Sequence, residues 1–429
     1  MKFNRYLKGV AVAAIAALSP VAASAVDLTF AHFLSPERNE GPNIIAALER
    51  FRAKFPEVNL DEQISGNDEY LTQFNVGAAT GSMPDVFMIV GADVSSIVEA
   101  GLIADIKPDL EADPEWFNSI QPDMFNEFSR GDGIYSVPYG QIITHIIYWN
   151  ETIFKENGIE EFPTTWDGFL DAIQTFKDAG VTPISLGNKG RWVVVDPYMG
   201  TLAHRMHGDG FIEGLYDGSR KFTDPDFVAA IEKFQELLSA GAFNEDFNSL
   251  DNGQQRDAYF QGKAAMFIEG SWAIASIVGN AQPEVLEATR IAIWPEIEGG
   301  KGAPSKVTGG AGWSFGINPQ LEGEKREAAV GLIKELSNVD YGISRLGSGL
   351  LPANVIDEVP SDVEIPALLQ MVSGKLADGS WEVAPIFNNA VPRSYLDVAG
   401  QVFQELMVGS KSPMEVAEAL QEDFDRSNQ

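Results

Sequence analysis

Apolar positions along this chain alternate between two periods, and the alternation predicts the fold. Apolar runs at 28–33 and 85–90 are short enough to be buried strands. Between them, Ile44, Ile45, Leu48, Phe51 and Phe55 recur at helical spacing behind Pro42, which suits a first helical turn, and Pro56 ends the segment. A strand at 58–63 and a helix at 70–79, closed by Gly81, complete the unit. Strand–helix–strand repeats of this kind require a mostly parallel sheet with helices on both faces. Short helices follow to residue 110, then strands at 135–138 and 143–148.

The rhythm then restarts. Thr165 caps a helix at 166–179 that Gly180 closes, and further strands read at 183–186, 264–268, 290–294 and 313–317. Helices fall at 197–207, at 226–238 and from 271, and the pattern beyond 322 is mostly helical, which breaks the count of an eightfold barrel. The expectation is an α/β protein of two lobes.

The first 25 residues change the picture of where the chain works. Lys2, Arg5 and Lys8 precede a ten-residue apolar stretch at 9–18, and Ala23-Ser24-Ala25 offers a cleavage site. Ten residues at about 1.5 Å each fall short of a hydrocarbon core of about 30 Å. The segment therefore reads as a removable secretory signal, with a soluble mature chain starting near Val26 outside the cytoplasmic membrane. No cysteine is present, so neither a lipid anchor at the new N-terminus nor a disulfide, thiol nucleophile or Cys-ligated metal is expected. Removing 25 of 429 residues leaves 404, enough for two or three domains, and 45% apolar residues support real cores. The formal charge of −32 is dispersed along the chain, which suits solubility and argues against nucleic acid or an anionic membrane as partner.

Several catalytic signatures are missing. No phosphate-binding G-x-x-x-x-G-K-[ST], G-x-G-x-x-G after a strand or H-E-x-x-H is present. Only four histidines occur; His204 and His207 could share a helix face, but two without a third ligand make a weak metal site. Carboxylates are too abundant to single out a hydrolytic pair. No metal, cofactor or enzymatic activity is expected. Indoles beside glycines stand out instead: Trp192 after Gly190-Arg191, Trp272 after Glu269-Gly270-Ser271, and Trp313 after Gly309-Gly310-Ala311-Gly312. Each lies at a strand end or helix start, where ligands bind in α/β proteins. Flat rings with carboxylates and amides nearby suit the C–H faces and hydroxyl rims of sugars.

Four segments in order carry a resemblance: Gly81-Ser82-Met83-Pro84-Asp85-Val86-Phe87; Val137-Pro138-Tyr139 with Tyr148-Trp149-Asn150; Pro163-Thr164-Thr165-Trp166-Asp167; and Phe260-Gln261-Gly262-Lys263-Ala264-Ala265-Met266 with Gly270-Ser271-Trp272. With Leu351-Pro352-Ala353 they span nearly all of the chain after the signal, and it resembles the periplasmic sugar-binding proteins of carbohydrate ABC importers, the maltose- and multiple-sugar-binding type. The resemblance implies a two-lobed periplasmic-binding-protein fold of type II, a monomer that closes over a sugar and delivers it to membrane permease subunits. Lobe one would be 26–139 plus 300–349 and lobe two 143–295 plus 354–429, with crossings near 139–143, 295–307 and 349–353. The resemblance implies Trp272 as a stacking ring and Asp85 as a carboxylate accepting sugar hydroxyls. Trp192 and Trp313 fall on cleft loops, Tyr139 and Gln141 on the first crossing, Phe33 and Glu37 on the loop after the first strand, and Asn388 and Arg393 on a late segment. For Glu37, Asn388 and Arg393 a solvated surface role stays open. Other solutes on the same fold (a polyol, an anionic glycoside, a peptide) and a secreted carbohydrate-active enzyme are the competing readings.

Overall fold

A computed structural model describes residues 26–35 and 40–427; the candidate signal at 1–25 and Glu37 lie outside them. The apolar runs become the central strands of two separate sheets. The first has the order Val58–Ile64, Val26–His32, Val86–Val90, Trp313–Ile317, Val137–Pro138. Val26–His32 pairs in parallel with both its neighbours, and only Trp313–Ile317 runs against the rest. The second has the order Thr289–Ala292, Ile146–Asn150, Ala264–Glu269, Thr182–Ser185, with Ile146–Asn150 as its one reversed strand. Each sheet is thus mostly parallel, and each is covered by its own core. Phe30, Phe51, Phe87 and Phe315 pack in the first; Phe154, Phe169, Phe234 and Phe403 pack in the second.

Local chemistry explains the helices. Thr165 Oγ1 accepts from Gly168 N at the start of Trp166–Asp178, and Phe169, Ile173 and Phe176 fill its inner face. In Gly41–Lys54 the inner stripe is Ile44, Leu48 and Phe51; Ile45, expected with them, is 42% exposed because it lies one residue, about 100°, off that stripe. The helix expected from 197 begins earlier, as a π-helical turn over Val194–Gly200 that accommodates Pro197, before Thr201–His207.

A three-stranded sheet, Glu382–Pro385, Lys306–Gly310, Ile142–Ile143, lies where the chain crosses between the two larger ones. The first passage runs through 138–142, and Gly140 bridges to Pro352 on the third. The second passage falls at 310–313 rather than 295–307. Residues 306–310 are a strand paired with Glu382–Pro385 and Ile142–Ile143, so the chain stays with the second lobe until Gly310. No helix among the described residues is long and apolar enough to cross a membrane.

Candidate functional site: an aromatic cleft between two sheets

The crossing strands bring the carboxyl ends of both large sheets together. Gly310 lies opposite Ile142, and three residues on, Trp313 lies opposite Val90, the end of the central strand of the first sheet. From the other side, Ser271 N donates to Ile143 O (2.8 Å) and Ile143 N donates to Ser271 Oγ (3.1 Å). These bonds fix the end of Ala264–Glu269 against the same crossing pair. Trp313 and Trp272 therefore rise from opposite lobes beside one hinge, at the position where α/β sheets bind ligands.

On the second lobe Trp272 is held rigidly. Its Nε1 donates to Glu269 Oε1 (2.7 Å), and the fully buried Glu269 also accepts from Arg256 Nε (2.8 Å) and Asn252 Nδ2 (3.3 Å). The ring covers Gly270: a methyl group there would fall 2.1 Å from Trp272 Cζ3, so glycine is a steric requirement. Trp192 stands 6.1 Å away, tilted by 55°. Its loop is shaped by buried Asn188, whose Oδ1 accepts from Val194 N (3.2 Å), and by Arg191. Among the described residues Arg191 is the one non-glycine with left-handed backbone (φ 68°), and its Nε donates to Gln404 Oε1 (3.1 Å). A side chain in that region costs about 1–2 kcal/mol, and such strain persists only where surrounding bonds enforce it.

On the first lobe Trp313 meets Phe33 edge-on at 4.7 Å, and Tyr70 backs both at 6.1 and 5.8 Å. Tyr70 is fixed by donating to Met88 O (2.6 Å) and accepting from Met88 N (2.8 Å). Trp272, Trp192 and Trp313 all stay partly exposed. Among the described residues no ring contact joins the two aromatic groups.

Two carboxyls that the sequence did not distinguish stand beside the crossings. Glu127, on the turn Pro122–Phe128, accepts from Ala311 N (3.0 Å) and from Asn389 Nδ2. Asp196, on the π-helical turn, lies beside Thr144, whose Oγ1 lies 2.6 Å from Thr308 Oγ1. Both keep some open surface, yet the protein mass around them disfavours charge, and burial pushes each up to about 7 against the hydrogen-bonding groups beside it. His145, beneath them, has its proton placed by its partners. Nδ1 donates to Pro197 O (2.7 Å) and Nε2 accepts from Trp294 N (3.0 Å), and burial lowers its pKa to about 3.

The other expected residues separate. Asp85 does not join the cleft: it precedes Val86–Val90, at the opposite end of the strand from Trp313. Its carboxylate accepts from Thr29 N (2.8 Å) and Thr29 Oγ1 (3.0 Å) and pairs with Lys325 (2.8 Å), tying two strands to a helix. Tyr139 is also placed in a core rather than on a wall, 5.0 Å from Phe315, with the Arg345 guanidinium 4.9 Å over its ring. Gln141 is partly exposed on the crossing, its N–H donating to Leu351 O (3.1 Å). Asn388 is buried beside the seam between the lobes, and Arg393 faces Asp93 of the first lobe across 3.5 Å. His204 and His207 use ring nitrogens on Asp209 (3.0 Å) and Gly208 O (2.6 Å), and no group of three metal-ligating side chains occurs among the described residues. Surface hollows near Thr223 and near Lys177 lie on helix and strand ends away from these rings.

Two sheets whose carboxyl ends meet at crossing strands, with aromatic walls on both sides, define a two-lobed solute-binding protein. The chain belongs to the bacterial extracellular solute-binding protein family, whose pattern matches residues 35–333. A probable sugar-binding periplasmic protein of Rhizobium meliloti is 23% identical over 216 residues, 48% of this chain and 49% of that one. The chain spans about half the length of the curated relatives it matches. A protein solved in work on xylan utilization by the thermophilic bacterium Caldanaerobius polysaccharolyticus is 25% identical, with a TM-score of 0.84 over 93% of this chain and 100% of that one. A chitin oligosaccharide binding protein is 24% identical, with a TM-score of 0.85 over 95% and 100%. The family is one of solute-binding proteins, and the second of these structures is named as a binding protein.

Proposed function

We propose that this chain is the substrate-binding component of a carbohydrate ABC importer. It takes a mono- or oligosaccharide between the Phe33–Trp313 wall and the Trp192–Trp272 wall and releases it unchanged to membrane permease subunits. The reading includes removal of residues 1–25 as a signal and a monomer working in the periplasm. The observation that carries it is the placing of indoles at the carboxyl ends of two sheets joined by a hinge. A ligand touching both lobes favours the closed arrangement by its differential affinity for it. Similarity to a probable sugar-binding periplasmic protein and to a chitin oligosaccharide binding protein supports a saccharide.

Calorimetry of the processed chain against malto-, chito- and xylo-oligosaccharides, monosaccharides and polyols tests the reading. Saturable heat with at least one saccharide is expected, with a rise in Tm that follows RT ln(1 + [L]/Kd). Chromatography should recover that saccharide intact. Silence across the whole panel in both assays overturns the proposal, and product formation moves the chain to the enzymes.

A further inference from the structure

We infer that Glu127 and Asn389 form a latch that holds the two lobes against each other without a ligand, so that they set the closure equilibrium as positioning residues. Glu127 belongs to the first lobe: Met124, Phe125 and Phe128 of its turn pack in that core. Asn389 belongs to the second: Phe387, two residues before it, and Val391, two after, pack in the other core, and Tyr216 Oη donates to Ala390 O (2.9 Å). The bond from Asn389 Nδ2 to Glu127 Oε2 therefore runs from lobe to lobe. The other oxygen, Oε1, accepts from Ala311 N (3.0 Å) on the second crossing, so one carboxylate grips both the hinge and the opposing lobe.

The surroundings are cut to fit this contact. A methyl group on Gly310 would fall 2.0 Å from Glu127 Oε1, and one on Gly91 would fall 3.0 Å from Asn389 Cβ and 3.1 Å from Glu127 Oε2. Backbone thus closes on the carboxylate from two further sides. A second bond crosses the seam nearby: Asp93, in the first turn of Gly91–Glu99, lies 3.5 Å from Arg393 at the start of Arg393–Met407. None of these contacts involves the aromatic walls. Opening the lobes must break the Asn389 bond and the Asp93–Arg393 pair, and a ligand that closes the cleft need not create them. A buried hydrogen bond of this kind, whose loss leaves polar groups unsatisfied, moves a two-state equilibrium by about tenfold.

The inference rests on the two-jaw reading but not on the identity of the ligand, and its test needs none. The chain has no cysteine, so Glu111→Cys and Glu232→Cys, exposed on the first and second lobes, place a spin-label pair without background. Pulsed electron resonance on the ligand-free protein should give a short interlobe distance as a substantial population. Asn389→Ala and the near-isosteric Glu127→Gln should each shift it to a longer distance, lowering the short-to-long ratio about tenfold, while circular dichroism stays unchanged. Arg393→Ala, altering only the second bond, should shift it less. A wild-type distribution that is wholly long, or one that neither Asn389→Ala nor Glu127→Gln changes, overturns the latch. A protein that binds no sugar but shows these shifts would overturn the saccharide reading and leave the latch standing.

Discussion

Placing one methyl group under Trp272 tests the site more sharply than removing the ring. Gly270 has a backbone conformation open to alanine, since it is absent from the positive-φ glycines. In Gly270→Ala the new Cβ would lie 2.1, 2.3 and 2.5 Å from three carbons of the indole, where ordinary contact begins at 3.4 Å. The ring must therefore move by more than about 1 Å, since close-packed atoms do not tolerate such overlap. That shift is incompatible with the 2.7 Å bond from Nε1 to Glu269, which Arg256 fixes from behind. Losing a hydrogen bond to a charged partner costs about 1.5–3 kcal/mol of stability. A displaced platform forfeits stacking of about 1–3 kcal/mol, which raises Kd roughly 5- to 150-fold. Calorimetry with the tightest saccharide of the panel measures the loss, and tryptophan emission reports the ring. Gly270→Ala should weaken binding about as much as Trp272→Ala. If Trp272→Ala loses affinity while Gly270→Ala stays within about twofold of wild type, the ring does not sit where the argument requires.

Asp85→Ala should lower stability by about 1–3 kcal/mol in urea unfolding, from the loss of its bonds to Thr29 and Lys325, and leave saccharide affinity unchanged. A fall in affinity at unchanged stability would return Asp85 to the cleft. Arg256→Met leaves the buried Glu269 carboxylate without its cation and should cost about 3–5 kcal/mol, with weakened binding because Trp272 loses its anchor; near-wild-type unfolding would refute this. His145 is held neutral with a pKa of about 3 against 6.5 in the unfolded chain. The unfolded state therefore takes up the proton first as pH falls, and stability drops progressively below about pH 6.5 until about pH 3. His145→Gln should flatten that slope in pH-dependent urea melts, and an unchanged slope would show that other groups set it.

The legible parts of the fold were those fixed by near neighbours in the chain. The strands Val26–His32 and Val86–Val90 and the helix Trp166–Asp178 with its Thr165 cap follow from local periodicity and capping chemistry. The place of Trp272 just beyond the strand Ala264–Glu269 was legible for a similar reason, since Gly270-Ser271-Trp272 follows that apolar run directly. The strand Lys306–Gly310 was not, because its glycines read as an open loop. They are required by contacts from distant segments: a methyl on Gly309 would fall 2.6 Å from Ile142 O, and one on Gly310 would strike Glu127. Glu382–Pro385 pairs with that same strand and was missed with it. Glu127 and Asp196 carried no motif; among 62 acidic residues, only the position of the crossings distinguishes them. Asp85 and Tyr139 lie in segments read as such, but a segment does not say that Asp85 stands at the far end of its strand from Trp313, nor that Tyr139, on the crossing, turns its ring into the core beside Phe315.

The hinge explains why binding chemistry and structural chemistry are hard to separate in this chain. Ile142–Ile143 bonds to Ser271 on one side and to Gly309 and Gly310 on the other, so the segment that links the lobes also spaces Trp272 from Trp313. A change in hinge angle must alter the gap between the aromatic walls, and any ligand that fits one gap selects one angle. Glu127 joins this circuit through Ala311, two residues from Trp313, and through Asn389 in the opposing lobe. Substitutions at the hinge should therefore change affinity without touching the ligand, whereas substitutions at Trp192 or Trp272 should change affinity and leave the ligand-free lobe distance alone. That contrast follows from the bonding pattern alone and holds whichever solute fills the cleft.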